Sequence, residues 1–321
     1  MSGSASAFAS EFFKIQMLAD GVYAAVGPQW GLCHSNAGIV DLGNGTLVFD
    51  TLTLPSYGED LARACLELTG REPTWIALSH FHSDHWLGNQ AFADGTPILV
   101  THDMLPHLEE WMAEYAKLPD ELEDFAKQID ELAATCGEET NTKKREGIET
   151  NLARYRALQA EAPQLRVVRP NMVFEGRLRL MGSKRSVDLI EVKKAHTVSD
   201  VYLSIPDAQV VFMGDLGFFD TMPFLMYANP LGWIEALRAL EAFDAKTFVP
   251  GHGVVGDVDR VRRTRECIAS IVTVVREAKA AGEEMEDALL ERLPEPFRTW
   301  SEGRTWMTQQ LEAVAQSLEE E

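Results

Sequence analysis

The chain reads as a single α/β domain, and three features of its 321 residues predict this. Short apolar and β-branched runs, punctuated by Gly and Pro, alternate with stretches of helical periodicity. A polar loop with three of the eight histidines, His80-Phe81-His82-Ser83-Asp84-His85, directly follows one such run, Thr74-Trp75-Ile76-Ala77-Leu78. Beyond Pro163 short strand signals return at regular spacing. Hydrophobic residues make up 45% of the chain, ample for a substantial core.

Taken in order, Phe12 to Val26 predicts a hairpin turning at Ala19-Asp20-Gly21. A Gly/Pro-rich loop from Gly27 to Cys33 carries Trp30, either a substrate-facing lid residue or an aromatic packed under a loop. Strands at Asn36–Val40 and Leu47–Asp50 meet around Gly43-Asn44-Gly45. Residues 56–69 show helical spacing through Leu61, Cys65 and Leu68, closed by Gly70. The histidine loop, a further helix and a strand at 97–101 follow. Between Asp103 and Ala162 apolar residues recur at helical spacing with breaks at Pro119 and Gly137, which predicts three inserted helices. The stretch 103–165 holds 15 acidic against 7 basic residues, a solvated acidic face. Its stripes must pack on the rest of the chain or on another copy, so the insertion is expected to be a lid or a dimer-forming arm. His102 and His107, at its start, read as surface or packing histidines. Strand signals then run at 165–168, 172–174, 178–181, 187–192, 201–205 and 210–213, as a sheet-rich second half. A helix at 233–242, a strand at 247–249 and C-terminal helices at 258–281 and about 304–319 complete the chain, with Trp300 and Trp306 as packing anchors.

The net charge of −21 opposes binding to phosphate backbones or anionic membranes, both of which rely on Lys and Arg clusters. Neither nucleic acid nor membrane is therefore an expected partner. Four widely spaced cysteines without a CxxC pair point to a reducing compartment. No basic n-region, apolar h-region or membrane-length run is evident, so the expected location is cytoplasmic.

The histidine loop carries the chemistry. Imidazole and carboxylate are the usual ligands of zinc, iron or manganese, and residues at i and i+2 on a tight loop can turn toward one point. His80 and His82 thus suit one ion, while Asp84 and His85 face a second about 3.5 to 4 Å away, as in two-metal hydrolases. The alternative is a solvated loop opening a helix with Asp84 as N-cap. Three further residues follow apolar strands: His196 in Ala-His-Thr, Asp215 in Gly-Asp-Leu and His252 in Pro-Gly-His-Gly. Each alone reads as a packed or capping residue. Together with the first loop they supply seven ligands, which suits two ions sharing one carboxylate.

In type and order these motifs resemble those of the metallo-β-lactamase-fold hydrolase superfamily, from about Val22 to His252. The resemblance implies an αβ/βα four-layer sandwich of two mixed β-sheets, with the 103–162 insertion and the helices beyond 258 as additions. It implies a first metal held by His80, His82 and His196, a second by Asp84, His85 and His252, and Asp215 as the bridge. The ions would be two divalent metals, zinc in the first place, with iron or manganese as alternatives. Two segments resemble the family's substrate loops: Pro28 to Cys33 with Trp30, and Phe218, Phe219, Met222, Phe224 and Tyr227 after Asp215. Their apolar character implies a greasy pocket for a neutral or amphiphilic small molecule. Zinc β-lactamases commonly carry Cys or Ser where this chain has Asp215, whereas thioesterase, lactonase and phosphodiesterase branches carry Asp.

The expected function is a dinuclear metal-dependent hydrolase whose metal-bridging hydroxide cleaves an ester, lactone, thioester or amide, β-lactam-like, bond in a small molecule. Asp84 would both ligate and orient the nucleophile. A phosphodiesterase or nuclease of the same fold is the alternative, against which the acidic surface argues. A di-iron redox protein is another, though it would need an electron-transfer domain and no Gly-rich cofactor loop is evident. A homodimer through the insertion is the expected assembly.

Overall fold

The structure, a computed structural model, describes residues 8–28, 35–300 and 307–319. Trp30, Cys33 and Trp306 lie outside the described residues.

Seven strands form one sheet in chain order: β1 (Lys14–Ala19), β2 (Val22–Val26), β3 (Ala37–Asp41), β4 (Thr46–Phe49), β5 (Trp75–Ala77), β6 (Ile98–Thr101) and β7 (Met172–Phe174). The sheet is antiparallel through β4 and parallel from β4 to β7. Five more form the second sheet: β8 (Arg177–Met181), β9 (Ser186–Lys193), β10 (Ser199–Ile205), β11 (Val210–Phe212) and β12 (Thr247–Val249). Its order is β12-β11-β10-β9-β8, and only β11 and β12 are parallel.

Period-two alternation sets the layers. On β11, Val210 and Phe212 enter the core shared with the first sheet, where Phe212 meets Phe49 at 6.3 Å between ring centroids. Val211 points the other way, into a second core with α5 (Pro230–Glu241) and α6 (Val258–Ala281). The sheets approach closely because Gly38 has no side chain: a Cβ there would lie 2.8 Å from the Phe212 ring. On the other side, α1 (Pro55–Thr69) buries Tyr57, Leu61, Ala64 and Cys65 in the first core and ends at Gly70 in the left-handed region. The layers therefore run helix, sheet, sheet, helix, as expected. The C-terminal α7 (Met307–Ser317) adds Met307, Leu311 and Val314 to the second core.

The insertion is the three expected helices, α2 (Leu105–Tyr115), α3 (Leu122–Glu138) and α4 (Thr142–Glu161), between β6 and β7. Leu108, Met112, Phe125, Ile129, Ile148 and Leu152 are buried in the same cluster as the first sheet. These apolar positions thus pack against the sandwich within this chain, while Trp111, Tyr115, Leu132 and Tyr155 are only partly buried. Glu161 pins the insertion's end: its carboxylate accepts from Ser56 N at 3.0 Å and Ser56 Oγ at 2.6 Å, capping α1, whose own N-cap residue Leu54 offers no side-chain acceptor.

Three expectations need correction. Residues 165–168 pair with no strand among the described residues; the side chains of Asn89 and Gln90 take up the Val168 carbonyl and the Arg166 N–H instead. Met172–Phe174 belongs to the first sheet rather than with the strands after it, because it pairs with β6. The helix expected after the histidine loop is only two short 3-10 segments, Ser83–His85 and Leu87–Ala91. Gly88 there packs on the backbone after β4, where a Cβ would lie 2.0 Å from Thr51 O. No described helix is long and apolar enough to cross a membrane.

Candidate metal centre

The seven predicted ligands all stand in connections that follow strands, on loops or single 3-10 turns. His80, His82, Asp84 and His85 follow β5, His196 lies in the turn between β9 and β10, Asp215 follows β11, and His252 follows β12. Backbone hydrogen bonds tie these loops together. Val201 N donates to Ser79 O at 2.7 Å, joining the two sheets beside the site, and Gly251 N donates to Gly214 O at 2.6 Å. Asn36 holds the last turn, donating from its N to Gly251 O at 2.8 Å and from Nδ2 to Pro250 O and Gly253 O at 2.9 Å each. Gly251 is required by the centre itself, since a Cβ would fall 1.9 Å from Asp215 Oδ1.

The side chains converge in two groups, His80, His82, His196 and Asp215, and Asp84, His85 and His252, with each group's ligand atoms within 4.8 Å of one another. In the first, His82 Nδ1 lies 2.9 Å from His80 Nε2 and 3.1 Å from His196 Nε2, and Asp215 Oδ2 lies 3.6 and 3.3 Å from the same two nitrogens. In the second, Asp84 Oδ2 is 3.6 Å from His85 Nε2 and 3.4 Å from His252 Nε2. Asp215 stands between the groups: its Oδ1 is 3.0 Å from His85 Nε2 and its Oδ2 3.1 Å from His252 Nε2.

A carboxylate that sequence reasoning passed over orients both groups. Asp50, 1% exposed at the end of β4, accepts from Ser79 N and Ser79 Oγ at 2.7 Å each and from His85 Nδ1 at 2.8 Å. Ser79 Oγ, its proton committed to Asp50, accepts from His80 Nδ1 at 2.9 Å. Both imidazoles therefore carry hydrogen on Nδ1 and turn Nε2 toward the cluster, the arrangement by which outer carboxylates set the tautomer of metal-binding histidines. His82 is oriented instead by rings, with Trp111 and Tyr227 at 5.4 Å and Phe224 at 5.5 Å. Asp200 braces the His196 turn by accepting from Thr197 N and Thr197 Oγ1 at 2.9 and 2.8 Å, and burial pushes its carboxyl up to about 7.

The electrostatics follow from burial among carboxylates. Burial pushes His82 down to about 3 and His196 to about 4 and holds His80 well below its usual value, so the first group is three neutral imidazoles. At His85 and His252 burial acts the same way, but Asp215 and the other acids outweigh it and raise both. Asp215 stays ionised: burial works against its charge, but His252, His85 and His80 hold its carboxyl well below the usual range.

Whether these residues suit metal ions can be read from their atoms. Asp215 sets its two oxygens 3.0 to 3.6 Å from nitrogens of four histidines, His80, His85, His196 and His252, and the lone pairs of neutral histidines crowd together in the first group. These residues would hold a divalent cation in each group through nitrogen and oxygen donors of the kind zinc, iron and manganese take. The residues fit.

Beside the clusters opens a cleft of about 240 Å³, which His82, Asp84, Asp215 and His252 line directly. The insertion forms one wall: α2 contributes Trp111 and Tyr115, and α4 contributes Asn151, Arg154, Tyr155 and Leu158. Tyr115 donates its hydroxyl to Ser83 Oγ at 2.7 Å, tying α2 to the metal loop. Of the expected substrate-facing residues, Phe218, Met222 and Phe224 line the cleft. Phe219 is buried in the second core instead, and Tyr227, about half exposed, packs its ring against Phe81, His82 and Trp111. His102 is exposed beside Asp103, and His107 stacks near Phe81. Asp50, Ser79 and Arg154 escaped sequence reasoning, although Asp50 closes the apolar run Leu47-Val48-Phe49 much as Asp215 follows Val210–Met213.

Residues 30–252 match the model of the metallo-beta-lactamase superfamily. No curated protein matches the chain. Among solved structures it is similar to a metallo-beta-lactamase from Pontibacter korlensis, at 15% identity and a TM-score of 0.57 over 80% of this chain and 99% of that one. The stereoselective inverting sec-alkylsulfatase Pisa1 from Pseudomonas sp. matches at 16% identity with a TM-score of 0.65, over 95% of this chain and 50% of that one. The DIM-1 metallo-beta-lactamase matches at 15% and 0.54, over 80% of this chain and 97% of that one. At such identities the structural likeness speaks for the fold alone. The family match, however, spans well over half of the sequence and ends on His252, the last residue of the two clusters: the chain belongs to the metallo-beta-lactamase superfamily.

Proposed function

We propose that the protein is a metal-dependent hydrolase that cleaves an ester, lactone, thioester or amide bond in an amphiphilic small molecule held between the insertion and the sandwich. The observation that carries this reading is the pair of ligand clusters, with Asp215 between them, opening into a largely apolar cleft. Divalent ions, zinc first among those the donor set suits, would supply Lewis acidity that lowers the pKa of water and polarises the bond under attack. Asp215 and Asp84 provide the negative charge that offsets two cations at short range. Asp84, with a side chain 21% exposed, lines the cleft beside the centre and would orient the attacking water there. Trp111, Phe218, Met222 and Phe224 exclude bulk water and hold the apolar part of the substrate.

Cleavage of a sulfate ester is a second reading. It is favoured by the alkylsulfatase likeness, which takes in 95% of this chain where the lactamases take in 80%. Phosphodiester cleavage is opposed by the net charge of −21. Elemental analysis beside a panel of nitrocefin, a lactone, a thioester, a sec-alkyl sulfate and a bis-phosphodiester tests the proposal. Turnover of the lactone or thioester that chelation abolishes supports it. Turnover of the sulfate alone supports the second reading, and turnover of the phosphodiester alone overturns both.

A further inference from the structure

One wall of the cleft is fastened to helices outside the part of the chain that matches the family. Phe218, Thr221, Met222 and Phe224 line this wall. The stretch that carries them, 217–229, forms no strand or helix, only an isolated bridge between Phe218 and His252. Backbone groups in such a stretch need partners from elsewhere. Two side chains of the C-terminal helices supply them at its two ends. Thr264 on α6 donates from Oγ1 to Phe218 O at 2.7 Å, and Gln310 on α7 accepts from Leu225 N through Oε1 at 2.8 Å. Both residues are fully buried, so water does not compete for either bond. Between these anchors Asp220, in the left-handed region at φ 58°, pairs with Arg260 and lies 3.6 Å from Arg263 Nη2, and Met222 Sδ packs 4.0 Å from Cys267 Sγ.

The anchored wall bears directly on the metal centre. Phe218 stacks on His252 with ring centroids 4.8 Å apart and lies 5.6 Å from the His196 ring, while Phe224 lies 5.5 Å from His82. The anchored stretch therefore touches ligands of both groups at its two ends. The family match ends at residue 252, before α6 and α7 begin.

We propose that Thr264 and Gln310 are positioning residues, through which the C-terminal helices fix the apolar wall and decide how tightly the apolar part of a substrate is held beside the metals. This rests on reading the cleft as the substrate site. It assigns substrate preference in part to helices beyond the family match.

Metal-loaded wild type, Thr264→Val, Thr264→Ser and Gln310→Met are titrated calorimetrically with 1-octanol, which is uncharged and has no bond to hydrolyse. Valine and methionine keep the size of the native side chains and remove the polar atom, and circular dichroism checks the fold. Thr264→Val and Gln310→Met should each weaken 1-octanol binding about three- to tenfold, the scale of one hydrogen bond, with metal content unchanged. Thr264→Ser keeps the hydroxyl and should stay within about twofold of wild type. Either loss variant decides alone if the other fails to fold. A purely structural role lowers stability without moving the affinity of the folded protein, so wild-type affinity in a folded loss variant overturns the proposal. Metal loss in either variant would assign these bonds to the metal centre and overturn it too, as would a serine variant as weak as valine or a wild type that does not bind 1-octanol. Where a lactone or thioester is turned over, the loss variants should raise KM by the same factor and leave kcat within about twofold. If no substrate class is hydrolysed, the proposed function fails while the titrations still decide the role of these helices.

Discussion

Replacing Asp50 with Asn changes one atom and reverses a chain of proton positions. Asp50 sits at φ 61°, a left-handed conformation that Asn tolerates as well as Asp, so the fold is expected to survive. The amide oxygen can keep the bond from Ser79 N, now 2.7 Å long. Where Oδ2 accepts from His85 Nδ1 and Ser79 Oγ, however, the variant presents an N–H₂ donor. His85 must then turn Nδ1 into an acceptor and move its proton to Nε2, which faces the cluster. Ser79 Oγ, now accepting from the amide, turns its proton toward His80 Nδ1 and drives the same exchange there. Both metal groups lose a ready lone pair. Losing such outer-sphere support typically costs ten- to a hundredfold in metal affinity, about 1.4 to 2.7 kcal/mol per site. Competitive chelator titration with metal counting reads this directly, and circular dichroism checks the fold. Ser79→Ala serves as the control: it leaves the His85–Asp50 bond in place and should weaken only the group containing His80. A folded Asp50→Asn variant that holds both ions with wild-type affinity would refute the tautomer argument.

Other outcomes follow from the same contacts. Gly251→Ala places a Cβ 1.9 Å from Asp215 Oδ1, so it should cost about 1 to 3 kcal/mol of stability and strip at least one ion; a denaturant curve and metal count like those of wild type would contradict this. Glu161→Ala removes both hydrogen bonds to Ser56 and should cost about 0.5 to 2 kcal/mol, with faster limited proteolysis within residues 103–162; an unchanged cleavage pattern would mean that the insertion is held elsewhere. Asp188 has its carboxyl lowered to about 2, first by the Arg179 hydrogen bond and then by Arg177. Because the folded value lies below the unfolded one, the pairing stabilises above about pH 4 and is lost as pH falls from there toward 2. With both arginines about half exposed, its worth is about 1 to 2 kcal/mol after screening. In chelated protein, urea curves for Asp188→Asn and wild type should therefore differ by that amount at pH 7 and converge as pH drops; a pH-independent difference would assign the loss to packing.

The seven clustered residues were legible because each combines a metal-binding side chain with the end of an apolar run, and strand ends gather at one edge of a sandwich. Asp50 met the same condition but stood alone, without a histidine near it in sequence, and only pairing of β4 with β5 sets it beside Ser79 and His85. Strand existence was also legible, whereas sheet membership was not. Met172–Phe174 carries the same local signal as its successors, yet it pairs with β6 across the whole insertion, and no period-two pattern encodes that choice. Leu165 to Val168 had a strand's composition, but Asn89 and Gln90 supplied hydrogen-bond partners from outside any ladder. The stripes on α2, α3 and α4 announced that these helices bury a face without saying against what. Arg154 was hidden for a related reason: among many surface charges of the insertion, only the fold reveals which one turns into the cleft.

The central claim is that two ions held by seven residues drive hydrolysis. Its most direct test is metal content per chain, measured together with turnover of the lactone or thioester, in wild type and in Asp215→Ala, before and after chelation. Two ions per wild-type chain are expected, with turnover that chelation removes and metal restores. Asp215→Ala should keep about one ion, in the group of His80, His82 and His196, and lose most activity. Turnover that survives complete removal of metal, or an Asp215→Ala variant that still holds two ions tightly, would contradict the account.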